Sequence, residues 1–210
     1  MAKKLRQLVK KLKIFCEEGN PARNFSCNNS ELGFIKSMFL LTSKPIMYIA
    51  NINEDELVSD SIGKFSNLLF TKFEGEETEV IELCGKVEQE ISTFKKNEQL
   101  EFLAEYNLDE PGLNILIRKA FNLLNLETYF TGGESEVRAW TIKKGSSAPQ
   151  AASEIHTDFE KGFIKAELIK YEDLKRLGSE KLAKDSGLSR LEGKDYTVQD
   201  GDCIFFHFNV

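Results

Sequence analysis

The chain has little of what usually carries chemistry. It contains only two histidines, His156 and His207, and they show no paired spacing of the kind that holds a metal. Its four cysteines, Cys16, Cys27, Cys84 and Cys203, are scattered and form no C-x-x-C pair. Neither a zinc site nor a disulfide framework is indicated. Cys84 has no histidine near it in sequence, so a thiol nucleophile is not indicated either. No apolar run approaches the roughly 18–20 residues that cross a bilayer. The basic start leads into an amphipathic helix, with no apolar signal core. A cytoplasmic protein without a membrane partner or a metal is expected. A glycine-rich phosphate loop, G-x-x-x-x-G-K-[ST], is also missing. Three Gly-Lys pairs occur, at Gly63, Gly85 and Gly193. They are followed by Phe65, Val87 and Asp195, where a hydroxyl is needed to hold Mg²⁺, and preceded five places back by Val58, Val80 and Leu188.

What remains is an ordinary globular composition, 41% hydrophobic and 30% charged, with no internal repeat or low-complexity linker. The net charge of −6 is unevenly spread. Residues 1–13 carry six cations (Lys3, Lys4, Arg6, Lys10, Lys11, Lys13) and no acid, which leaves a net −12 on the rest. An acidic body argues against broad nucleic-acid coating, although this basic helix could touch phosphates. A solvated helix face accounts for it equally simply. Leu5, Leu8, Val9, Leu12 and Phe15 form the apolar stripe of that helix, closed by Gly19-Asn20-Pro21. Ser30 is a candidate cap for the next helix, whose apolar residues include Leu32, Ile35, Met38 and Phe39.

Lys44-Pro45 launches Ile46-Met47-Tyr48-Ile49-Ala50, a continuous apolar run that suits a strand buried on both faces of a parallel α/β sheet. It ends at Asn51-Ile52-Asn53-Glu54. Ligands of such sheets sit beyond the carboxyl ends of strands, so this loop stands where a ligand is read. A turn capped by an asparagine and a glutamate would use the same letters. A helix from Ile62 to Phe73, acidic loop residues Glu74, Glu76 and Glu77, and a strand at Val80–Leu83 follow. Cys84-Gly85-Lys86 comes next, then helices at Glu98–Tyr106 and Pro111–Asn125, the second with a wide apolar face for packing.

From Tyr129 to Ala166 the pattern reads strand, turn, helix, strand. Val137–Ile142 is dense in β-formers, and Lys143-Lys144-Gly145-Ser146 turns it. Ser147 is a candidate N-cap with Pro149 in the first turn. Ala148, Ala152, Ile155 and Phe159 then mark one stripe of a single helix, ended by Gly162 as a C′ residue. His156 could pair with Glu160 four places on. Ile164, Ala166 and Leu168 alternate as a half-buried strand. Short helical pieces are expected at Glu172–Leu177 and Ser179–Lys184, and a closing hairpin from Tyr196-Thr197-Val198 through Asp200-Gly201 to Ile204–Phe208. A hairpin, a crossing helix and further strands make the β-grasp plan. Both histidines read as structural or surface residues.

The words EVRAWTIKKG, APQAA, IHTDFEKGFI and DGDCIFFHFNV closely resemble the TGS domain of YchF-type Obg-like ATPases, and the resemblance runs from about residue 5 to 210. It implies an α/β plus α+β chain: the C-terminal portion of a P-loop NTPase (TRAFAC, Obg-like) domain with part of its helical arm, then a β-grasp, ubiquitin-like TGS domain. By that resemblance residues 1–43 end the inserted helical (coiled-coil) arm, 44–126 are the C-terminal part of the nucleotide-binding domain and 127–210 the TGS domain. Asn51 and Glu54 match the family's Asn-x-x-Glu loop, which goes with a preference for ATP over GTP. Cys84-Gly85 stands where the family commonly has Ser-Ala or Cys-Ala, closing over the base through backbone groups. Asn51, Ile52, Glu54, Cys84 and Gly85 are therefore the candidate nucleotide-binding residues.

No catalytic residue is assigned. Asp60-Ser61-Ile62-Gly63 and Asp109-Glu110-Pro111-Gly112 fit the letters of a D-x-x-G switch, but both follow the base-reading loop, whereas the family places that switch before it. The family's proposed catalytic histidine also belongs to the missing part. The resemblance further implies ATP, with Mg²⁺ in the complete protein, and the ribosome as partner, with ribosomal RNA reached through the TGS sheet or the basic helix 1–13. Three readings stand: the C-terminal part of an ATPase, a stand-alone TGS binding module, or an inactive truncated product. Threonyl-tRNA synthetases and stringent-response enzymes also carry TGS domains, but the matches outside that domain point away from them.

Overall fold

A computed structural model describes residues 2–58, 63–73, 79–133 and 136–209. The expected helix start at Ile62, the acidic loop at Glu74, Glu76 and Glu77, and most of Asp60–Gly63 lie outside the described residues. The chain divides into two compact units, Met1–Leu123 and Leu124–Val210.

The first unit opens with α1 (Ala2–Glu17) and α2 (Asn29–Ser37). Leu8 and Leu12 of the α1 stripe bury against Ala22 and Ile35, while all six cations of residues 1–13 stay exposed. The cap of α2 is Asn28, two residues before the expected Ser30. Its Oδ1 accepts from the N–H groups of Ser30 and Glu31, and Glu31 accepts in return from Asn28 N–H. Glu31 supplies the return half of that box, which fixes the choice.

Next come β1 (Met47–Asn51), α3 (Glu54–Val58), α4 (Lys64–Lys72), β2 (Glu79–Leu83), α5 (Gly85–Ile91), α6 (Lys96–Glu105) and α7 (Gly112–Leu123). β1 and β2 pair in parallel, in register from Met47 with Glu79 to Asn51 with Leu83. The expected burial of β1 on both faces is not found. Only Ala50 is buried, and Ile49 is 44% exposed, because among the described residues β1 has a single neighbouring strand. Tyr48 stacks on Phe73 at 4.3 Å, which holds the end of α4 against β1. The Glu88 carboxylate accepts from the N–H groups of Gly112 and Leu113 and so caps α7. A Cβ at Gly112 would lie 2.4 Å from a Leu83 methyl group and 2.9 Å from the capping Glu88 oxygen, so a larger residue would have to displace both side chains.

The second unit contains β3 (Leu126–Gly132), β4 (Val137–Lys143), α8 (Ala148–Ile155), α9 (Thr157–Lys161), β5 (Phe163–Lys170), α10 (Tyr171–Leu177), α11 (Glu180–Asp185), β6 (Arg190–Glu192) and β7 (Asp202–Phe208). The sheet order is β4-β3-β7-β5-β6. β3 runs parallel to β7 and every other pairing is antiparallel, which is the β-grasp arrangement. Tyr129, Ile142, Ala148, Ala152, Ala166, Leu168, Ile204 and Phe206 belong to one core beneath α8. Three alanines on α8 let the helix approach the sheet closely. The wholly buried Tyr129 hydroxyl donates to the Ala151 carbonyl at 2.8 Å, which satisfies both groups.

Four local expectations are corrected. The helix expected to run from Ala148 past Phe159 is two helices broken at His156, which is extended (φ −161°, ψ 140°). His156 Nδ1 accepts from Asp158 N–H and starts a new helix, so the expected pair with Glu160 gives way to this cap. Phe159 still reaches the core, because the new helix aims it onto Phe208, 3.7 Å away. Gly162 is not in the left-handed region (φ −88°); it is glycine because a Cβ would lie 2.1 Å from the Asn209 carbonyl oxygen. Ile164 is 56% exposed, since an irregular register between Phe163 and Lys165 turns Phe163 inward instead. Finally, Tyr196–Val198 forms no strand. Thr197 makes an isolated bridge to Ser147, and β7 pairs with β3 and β5 instead of closing a hairpin.

Candidate nucleotide-binding loop

The five candidate residues come together at the C-terminal ends of β1 and β2, the position where parallel α/β sheets hold ligands. Asn51 is the last residue of β1. Its side-chain carbonyl oxygen accepts from Gly85 N–H at 3.0 Å, tying the end of one strand to the turn after the other. A Cβ at Gly85 would lie 3.3 Å from that oxygen, a tight approach that a small shift of the Asn51 side chain would relieve. Ile52 donates its N–H to the Leu83 carbonyl at 3.0 Å, and its side chain packs against the Cys84, Val87, Ile91 and Leu103 cluster. Ile52 therefore anchors the loop through its side chain and can offer a ligand mainly backbone. Cys84 is buried, 4% exposed, so its thiol is packing.

The loop's own helix cap is made by other residues. Asn53 Oδ1 accepts from Glu56 N–H at 2.8 Å, and the Glu56 carboxylate accepts from Asn53 N–H at 3.2 Å. The capping work that an Asn-x-x-Glu stretch could do is thus done one step away, by Asn53 and Glu56. Asn51 and Glu54 are left for another role.

Glu54 opens α3 and forms an ion pair with Lys86 Nζ at 2.9 Å, with the lysine 68% and the carboxylate 35% exposed. The hydrogen bond that Lys86 donates to Glu54 raises the lysine pKa above its usual range. Tyr106 lies close by; burial and then the nearby Glu54 charge push its hydroxyl pKa up. Sequence reasoning did not single out Lys86, because its contact with Glu54 appears only when the ends of β1 and β2 lie side by side.

Among the described residues, no group of three or more His, Cys, Asp or Glu side chains could hold a metal ion. Asn51, Glu54 and the Gly85 turn gather polar groups at the strand ends. Phosphates and Mg²⁺ find no matching loop in this sequence. No helix of the described residues is long and apolar enough to cross a membrane. In the second unit, a half-open cavity of about 170 Å³ lies on the outer sheet face between Phe130, Val137, Ile169 and Phe205.

A parallel strand pair with a bonded loop at its carboxyl ends, followed in sequence by a β-grasp sheet, defines an α/β plus α+β protein. Comparison with known proteins makes this more specific. The family model YchF-GTPase_C, described as "Protein of unknown function (DUF933)", matches residues 126–209. The chain is 47% identical over 204 residues to the "Ribosome-binding ATPase YchF" of Bacillus subtilis, covering 97% of this chain and 56% of that protein. It is 46% identical over 203 residues to the protein of the same name from Haemophilus influenzae, covering 97% of this chain and 55% of the relative. The solved Schizosaccharomyces pombe YchF GTPase aligns with a TM-score of 0.83 at 32% identity, covering 98% of this chain and 55% of that one. The chain belongs to the YchF family and corresponds to its C-terminal part. It spans about half the length of the curated relatives it matches.

Proposed function

We propose that this chain supplies the adenine-reading and TGS parts of a cytoplasmic, ribosome-binding ATPase, with residues 1–43 ending its helical arm, 44–126 closing its nucleotide domain and 127–210 forming the TGS domain. Asn51, Ile52, Glu54, Cys84 and Gly85 shape the base-reading loop. The observation that carries this reading is the Asn51 to Gly85 hydrogen bond, which joins the two strand ends while Asn53 and Glu56 cap the helix. In the complete protein ATP is held with Mg²⁺. Phosphoryl transfer depends on positioning and charge stabilisation of the γ-phosphate, so the 210-residue chain by itself does not hydrolyse ATP.

The test is a turnover assay on the purified chain, with an Asn51→Ala control. No saturable hydrolysis is expected. Activity that survives repurification and disappears in the Asn51→Ala variant would overturn the proposal for this chain. A second reading, a stand-alone TGS binding module, is supported by the self-contained core of the β-grasp unit. Its contact with ribosomal RNA would run through that sheet or through the exposed cations of residues 1–13. Co-sedimentation of the chain with ribosomes in the absence of nucleotide favours the module; co-sedimentation that needs ATP favours the first reading. An insoluble product favours an inactive truncated product.

A further inference from the structure

Resting on the base-reading role of this loop, we infer that Lys86 is a specificity-determining residue: together with Glu54 it forms a mixed acceptor and donor pair that selects adenine and rejects guanine. Lys86 Nζ lies 2.9 Å from Glu54 Oε1, and both groups retain solvent access. An ammonium carries three donors and a carboxylate two acceptor oxygens, so the pair is not saturated by its own bond. One Lys86 proton stays on Glu54 while another points at a base.

The pairing edge of adenine presents one donor, the exocyclic amine, beside one acceptor, the ring nitrogen N1. Glu54 accepts from the amine and Lys86 donates to N1. Guanine presents an acceptor, O6, beside two donors, N1–H and the exocyclic amine, and a carboxylate standing alone suits the two donors. Held in the pose of adenine, guanine sets O6 against the Glu54 carboxylate and N1–H against the Lys86 ammonium, unpaired contacts that count against it. The same carboxylate therefore reads different bases according to its neighbour, and the neighbour here is a cation on the first turn of α5. The Asn51 to Gly85 bond keeps that turn beside the base-reading strand end, so Lys86 is held in place by the backbone beneath it.

The experiment titrates the isotopically labelled 210-residue chain with adenosine 5′-monophosphate and, separately, guanosine 5′-monophosphate, following the Gly85 and Lys86 amide resonances. The phosphate is the same in both ligands, so the difference reports the base. Adenosine monophosphate is expected to bind the tighter of the two. Lys86→Met should reduce that preference by roughly tenfold, the value of one charge-assisted hydrogen bond plus one relieved clash. Lys86→Arg, which keeps a donor, should retain most of it. A preference unchanged in Lys86→Met, or a guanosine preference in the parent chain, overturns the inference and leaves the base-reading role standing. Absence of any shift at Gly85 with either ligand overturns the base-reading role itself, and the inference with it.

Discussion

The two units bury their apolar residues in different ways. Residues 124–210 gather eleven buried side chains into one contiguous core beneath a five-stranded sheet. Residues 1–123 divide theirs mainly between two clusters of four, one under α1 and one under α5. Both units leave large apolar side chains in solvent, Phe65 (75%) and Leu68 (59%) in the first and Val137 (78%) and Leu191 (62%) in the second, so the difference lies in how the buried residues are gathered. The candidate loop therefore sits on the less consolidated scaffold, and the better packed unit carries no candidate residue of that site. The larger core and the candidate loop are located in different halves of the chain, so substitutions should separate their effects cleanly.

The sharpest break would come from Leu168→Ala, which empties a fully buried position in the larger core. A loss of about 3 kcal/mol is expected for the second unit. Trp140 is the single tryptophan and belongs to that unit, so its fluorescence during urea unfolding reports the loss directly. A loss below about 1 kcal/mol would show that the core is looser than its burial implies.

A smaller effect, confined to the first unit, is expected from Glu88→Ala. This removes the carboxylate that accepts from Gly112 and Leu113 at the start of α7. About 1 kcal/mol should be lost, read as faster amide exchange in α7 with the Trp140 transition unmoved. A shift of both signals would mean that the two units unfold together.

The smallest effect is a pH dependence. Hydrogen bonds from Lys184 and Ser189 hold the Glu167 carboxyl below the ordinary carboxylate range. Because the folded pKa is depressed, the stabilisation is complete above the unfolded pKa of about 4.3 and fades as pH falls through the folded value. Glu167→Gln should thus weaken the second unit at pH 7. The difference from the parent chain should narrow as the pH falls from 7 to below the unfolded value, measured by urea midpoints. A constant difference at both pH values would assign the contact to packing instead of charge.

Much of this arrangement was legible in the residues. Apolar runs placed β1, β2, β4 and most of the β-grasp plan, because strand and helix periodicities are local properties. The misreadings share one cause, since each depends on a partner distant in sequence. The break at His156 leaves the stripe spacing almost intact, so Phe159 looked like one more turn of the same helix. Gly162 does end a helix, but the reason for glycine there, the close approach of the Asn209 carbonyl, shows only when the chain's end is placed against it. β7 looked like half of a hairpin because the turn at Asp200-Gly201 is near and β3 is far. At the candidate site Asn51, Glu54 and Gly85 could be named from their loops. Lys86 could not, because its role appears only when two strand ends lie side by side.

β7 is the last strand of its unit in chain order, yet it lies between β3 and β5 at the centre of the sheet. During synthesis the earlier strands can pair only as β3 with β4 and β5 with β6, two separate ribbons without a common core. The β-grasp unit therefore gains its structure late and in one step, when Asp202–Phe208 leaves the exit tunnel and joins the halves. A nascent chain stalled before Ile204 would expose the inner faces of both ribbons. Loss of a few residues at this end would remove the centre of the sheet, whereas the same loss from the edge strand β6 would leave four strands paired.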